Sequence, residues 1–203
     1  MVGEPLPLRA PRRRGHLTAP PPVNGAPPVR AAPPLGLLVA NFLCFQAGWF
    51  ACVLGAAHGR PWVGALAGLA IVAGWLAAAP RPGALALLLL VAGTIGWCWD
   101  SALTVLGLTS YAAGPLTPPM APVWILALWL LLASTLHLSM RWLQERLVLA
   151  AALGAVAAPL AYLAGARLGA MTLPKMMPAL AAQAVGWAVL LPVLLRVARR
   201  LDV

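Results

Sequence analysis

Gly83 to Leu108 reads GALALLLLVAGTIGWCWDSALTVLGL, twenty-six residues with one charge among them. At about 1.5 Å of rise per residue, a helix of that length outreaches the ~30 Å hydrocarbon core of a bilayer. The one charge is Asp100, within Gly96-Trp97-Cys98-Trp99-Asp100-Ser101, and it is the only acidic residue inside any apolar run of the chain. A carboxylate at the centre of a membrane helix costs about 2.5–3.5 kcal/mol on insertion scales, so such a residue faces the bundle interior and has a partner. The stretch therefore predicts a membrane helix with a buried acid.

Five further apolar segments flank it: Leu35–Ala57, Pro61–Ala79, Ala121–Trp142, Leu147–Ala166 and Ala179–Ala198. The chain is 62% hydrophobic and 9% charged over 203 residues, more apolar surface than a soluble domain of this length can hide. The expected fold is an all-α membrane protein, a single bundle of six transmembrane helices over residues 35–203. The links His58-Gly59-Arg60 and Pro80-Arg81-Pro82 are too short for anything but antiparallel neighbours. Residues 1–34, rich in Pro and Arg, lack apolar periodicity and read as a disordered or polyproline-like basic arm. With no apolar core directly after Arg12-Arg13-Arg14, they do not read as an export signal.

The formal net charge of +10 would point to nucleic acid in a soluble protein. Here the basic residues sit in the arm and at segment ends, where they set topology and meet anionic headgroups, so the expected partner is the lipid bilayer and not nucleic acid. Of the 14 Lys and Arg residues, only Arg60, Arg167 and Lys175 fall on one side of six alternating spans. The positive-inside rule then places both termini in the cytoplasm.

Small residues recur at helical spacing: Ala47, Ala51 and Gly55; Gly64 and Gly68; Ala150, Gly154 and Ala158. They let backbones approach closely, and serve internal packing or a homo- or hetero-oligomer seam equally. Ser134, His137 and Arg141 are expected on one helix face, and Trp124 and Trp129 fit an interfacial aromatic belt at least as well as a ligand box. His137 has no second ligand nearby and Met120, Met171, Met176 and Met177 match no copper motif, so no metal and no cofactor is expected. Cys44, Cys52 and Cys98 read as small packing residues. No phosphate loop, nucleophile–His–acid set or carboxylate pair occurs.

Counting rise from the helix ends puts Asp100, Trp97, Gln46, Trp49, Tyr162 and Gln183 in the outer half of the bundle on four different helices. Each polar group there needs a partner that lipid does not offer. One inter-helix ligand-binding cluster of these six residues, opening toward the uncharged link Thr109–Met120, is the candidate site.

Several of these residues carry a resemblance. Asn41-Phe42, Phe45-Gln46 and Trp49-Phe50 open it, and Asp100 to Leu103, Pro122-Val123-Trp124 and Leu128-Trp129 continue it. Ser139 to Leu143, Gly154, Pro159, Ala161-Tyr162 and Gly165 close it. Over residues 36–195 the chain resembles a family of short bacterial inner-membrane proteins classed as a domain of unknown function. The resemblance implies a multi-pass protein of the bacterial inner membrane, brings no catalytic residues, and implies a link to acyl-lipid or phospholipid modification. The expected function is to bind or transport a small or lipid-like molecule, or to serve an envelope lipid pathway. The alternatives are a membrane enzyme or enzyme accessory modifying acyl lipids, and a non-catalytic structural partner. A fainter likeness to tryptophan-rich sensory proteins rests on Pro118-Pro119, Trp124 and Trp129, and one to vitamin-importer binding subunits on Ala47 and Ala51.

Overall fold

The computed structural model describes residues 33–113, 118–201 and 203; the expected basic arm lies outside them apart from Pro33 and Pro34. Six helices follow one another: α1 (Leu35–Ala57), α2 (Pro61–Ala78), α3 (Pro82–Val105), α4 (Val123–Ala133), α5 (Leu147–Arg167) and α6 (Met176–Arg200). All except α4 are long and apolar enough to cross a membrane. The chain is a multi-pass helical membrane protein. Pro61 and Pro82 open α2 and α3, where the missing N–H is one the helix end does not use. Gly59, at a φ of 72°, makes the left-handed turn between α1 and α2.

Burial is inverted relative to a bundle in water. Val148 is 87% exposed, whereas Asn41, Asp100 and Gln183 have no exposed surface. In lipid an apolar side chain gains little by turning inward, while a polar one must find a partner inside.

The fourth segment departs from expectation. In place of one helix over Ala121–Trp142, regular helix ends at Ala133 and the chain continues through turns to a short 3-10 turn, Arg141–Leu143. The hydroxyls of Ser134 and Thr135 donate to the carbonyls of Leu131 and Leu132, at 2.7 and 2.6 Å. The amides of Thr135 and Leu136 bond three residues back, to Leu132 and Ala133, and not four. Such local bonds compete with the helical ladder. The carbonyls they release are taken by side chains: Asn41 Nδ2 donates to Ser134 O, and Gln144 Nε2 to Leu136 O. The backbone amide and hydroxyl of Ser139 both donate to Asn41 Oδ1. Ser134, His137 and Arg141 therefore do not share a helix face.

A two-stranded ladder joins the links on either side of α4 and α5. β1 (Ser110–Tyr111) pairs antiparallel with β2 (Met171–Thr172), Tyr111 opposite Met171. The pairing fixes the end of α3 and the end of α5 at the same face of the bundle. The segment 123–146 must then run the length of the molecule to reach the start of α5, which preserves six crossings although α4 is short.

α4 is apolar all round and correspondingly central. It packs against α1, α2 and α3, while α5 and α6 pack on each other. Trp124 and Trp129 are 0% and 3% exposed, so they are core residues and not an interfacial belt. Two of the small residues, Gly64 and Gly154, lie in internal seams. A Cβ on Gly64 would collide with the backbone of Ala51 and Cys52 on α1, and one on Gly154 with the carbonyl of Trp187 on α6.

Candidate ligand site

Asp100 projects from α3 into the join between the two halves of the bundle. Its Oδ1 accepts from the hydroxyls of Tyr111 on β1 (2.8 Å) and Tyr162 on α5 (2.5 Å). Its Oδ2 accepts from the indole Nε1 of Trp129 on α4 (2.7 Å). One carboxyl group thus ties α3, α4, α5 and the strand ladder together. Both tyrosines of the chain bond to it. Burial first, and then the charge of Asp100, push the Tyr111 phenol well above its ordinary value, so this donor stays protonated.

Local sequence makes the approach of Trp129 possible. Gly96 lies one turn before Asp100 on the same face of α3, and the Trp129 ring occupies the space where a Cβ would stand. The opposite side of that ring is stacked against Trp187 of α6, with centroids 4.6 Å apart and planes 14° from parallel.

Beside this node runs a cleft of about 580 Å³, within the range of small-molecule sites. α1 contributes Phe42, Gln46, Trp49 and Val53, spaced to share one helix face. α4 contributes Ile125, Leu128, Trp129 and Leu132, and α6 contributes Trp187 and Leu191. From α5 come Tyr162 and otherwise only Ala and Gly. α1 and α5 share no extensive interface, and Phe42 of α1 and Ala157 of α5, which both border the cleft, are exposed. The cleft is therefore open sideways, toward the region that lipid fills.

The six residues nominated by the sequence divide into two groups. Asp100, Gln46, Trp49 and Tyr162 border the cleft. Asp100 does so from behind its three donors, with no exposed surface of its own. Trp97 and Gln183 lie elsewhere. Trp97 donates its indole N–H to Ala121 O at 2.7 Å and so anchors the approach to α4. Gln183 accepts from Trp99 Nε1 at 3.2 Å, and Trp99 in turn sits over Gly186. The Nε2 of Gln183 is buried without a hydrogen bond among the described residues.

Two members of the node, Trp129 and Tyr111, were not among the nominated residues. For Trp129 a signal existed in Gly96, whose missing side chain leaves room one turn from the acid. For Tyr111 the only signal is its rarity, one of two tyrosines in the chain.

A family described as "Protein of unknown function (DUF2878)" matches residues 38–193. The chain belongs to this family. No curated protein and no solved structure matches it.

Proposed function

For this member of the family, we propose a protein of the bacterial inner membrane that binds a small or lipid-like molecule in the cleft, as a carrier or as a component of an envelope lipid pathway. The observation behind this reading is the cleft itself. It lies within the membrane-spanning part of the bundle, its wall is almost wholly carbon, and it opens between α1 and α5. A molecule dissolved in the bilayer can enter there without passing through water. Gln46, Trp49 and Tyr162 touch the ligand in this reading. Asp100 is a positioning residue that holds Tyr162 and Trp129 in the wall.

Native mass spectrometry of the protein released from its own membrane, without delipidation, is the direct test. A stoichiometric bound mass is expected. It should be lost from an Ala158→Phe variant, whose ring fills the cleft from the α5 side. A parent protein that releases only as a bare chain, or a mass retained equally by the variant, would remove the cleft as a ligand site.

The orientation proposed is cytoplasmic for both termini, because eleven of the 14 basic residues then lie inside. A reporter fused after Val203 is expected to be active only if it is one that works in the cytoplasm. Activity of a periplasm-dependent reporter at that position would reverse the assignment.

A further inference from the structure

The chemistry of the cleft wall narrows its occupant. Among the described residues bordering it there is no Lys, Arg or His, and the one acid, Asp100, already accepts three hydrogen bonds. A charged headgroup inside the cleft would be unpaired in a medium of low dielectric, so the buried part of the ligand is neutral. It is nevertheless not pure hydrocarbon. Gln46 borders the cleft, is half-buried, and has no side-chain hydrogen bond among the described residues. Eleven residues separate it from Leu35 and eleven from Ala57, which puts it about 16 Å from either end of α1. That is the middle of a ~30 Å hydrocarbon core, out of reach of headgroups. One turn on, the indole N–H of Trp49 also lacks a partner. A carbonyl oxygen is a group to which both can donate, and the Gln46 amide oxygen can in turn accept from a hydroxyl.

Shape adds the second restriction. Apart from Tyr162, the α5 side of the cleft is made by Gly154, Ala157, Ala158, Ala161, Ala164 and Gly165, which carry at most one side-chain carbon each. The indoles of Trp129 and Trp187, stacked on each other, also border the cleft. A floor of such small residues beside aromatic side chains favours a flat ring over a bulky or branched body.

We propose that the cleft takes the flat, uncharged, carbonyl- or hydroxyl-bearing ring of a quinone-type molecule dissolved in the bilayer. The ring lies on the α5 floor beside the indole pair, one oxygen meets Gln46, and the tail leaves between α1 and α5. This inference rests on the reading of the cleft as a ligand site and commits to the class of ligand.

The test uses the full-length protein in lipid nanodiscs with three probes: a decyl-tailed 1,4-benzoquinone, palmitate, and decane as the bare tail. The measurements are saturable quenching of tryptophan fluorescence and the shift in melting temperature. The quinone is expected to saturate and to raise the melting temperature, while palmitate and decane do neither. Gln46→Leu removes an unpaired amide from an apolar wall. It should fold and melt at or above the parent temperature, yet bind the quinone about tenfold more weakly or worse. Ala161→Phe, filling the floor, should abolish the saturable component. Saturable binding of palmitate or decane without the quinone would overturn the ligand class and leave the ligand site standing. Quinone binding indifferent to Gln46→Leu would also overturn the assignment. Saturation by none of the three probes would overturn both the ligand class and the site.

Discussion

Replacing Asp100 by alanine should cost the folded bundle about 3 kcal/mol or more, because the buried donors Trp129 and Tyr162 and the half-buried Tyr111 lose their acceptor together and each unpaired buried donor costs roughly 1–3 kcal/mol. The chemistry of the three donors makes Asp100→Asn informative as well. A phenol can rotate its hydroxyl and accept, but an indole N–H can only donate. The substituted side-chain amide must therefore offer its oxygen to Trp129 and turn its NH₂ toward the two phenols, which then accept in place of donating. A cost between that of the parent and that of Asp100→Ala follows. Tyr111→Phe and Tyr162→Phe each remove a donor and leave the carboxyl partly served, so each should cost less than Asp100→Ala. In an Asp100→Ala background both should become nearly neutral, since the bond they delete is already gone. Unfolding in mixed micelles, followed by near-ultraviolet circular dichroism, measures all of these. A parent-like unfolding midpoint for Asp100→Ala would mean that the carboxyl does not tie the bundle together.

That node also marks the boundary of what the chain discloses before it folds. The long helices were legible because runs of apolar residues long enough to span a membrane can do little else in lipid, and α1 keeps the boundaries expected of it, Leu35 to Ala57. The need of Asp100 for partners was legible for the same reason, an acid in hydrocarbon being untenable alone. Which partners it finds was not. Gln46 and Trp129 are equally capable donors by composition. The choice depends on the rotation of α4 about its axis, which is set by packing against three neighbours at once. The break in α4 was hidden too. Ser134 and Thr135 sit comfortably in many membrane helices, and their hydroxyls unwind this one where Asn41, 93 residues away from Ser134 in sequence, is present to take the released carbonyl. The strand ladder, two residues on each side, is too short to show any period.

A cleft with one unpaired amide beside a fully paired carboxyl divides the polar residues by role. Asp100, Asn41 and Gln144 make their hydrogen bonds within the protein, and they hold the fold together. Gln46 makes none, and its amide weakens the apo protein by the cost of a polar group set in an apolar wall. Residues that lower stability without serving the fold are where ligand contacts are found. The sequence could nominate both kinds and could not tell them apart, because the difference lies in whether a donor from another helix arrives.

The closest contact in the node yields a prediction that separates packing from hydrogen bonding. Gly96→Ala is expected to be strongly destabilising although alanine is the better helix former by about 0.8–1.0 kcal/mol. The added Cβ falls on the six-membered ring of Trp129. That ring cannot slide away freely, since its N–H is bound to Asp100 and its other face lies against Trp187. Overpacking of this kind costs about 1–3 kcal/mol, and pulling the indole from its acceptor adds roughly 1–3 kcal/mol more. In a Trp129→Leu background the ring is gone, and the same Gly96→Ala change should be neutral or mildly stabilising. The two substitutions thus couple strongly in a double-mutant cycle, with opposite signs for one methyl group in two contexts. Gly154 supplies the control. Its missing Cβ is opposed by the backbone carbonyl of Trp187 and not by a side chain, so Gly154→Ala should destabilise equally with or without a Trp187→Leu substitution. Equal costs for Gly96→Ala in both Trp129 backgrounds would show that the indole is not what Gly96 makes room for.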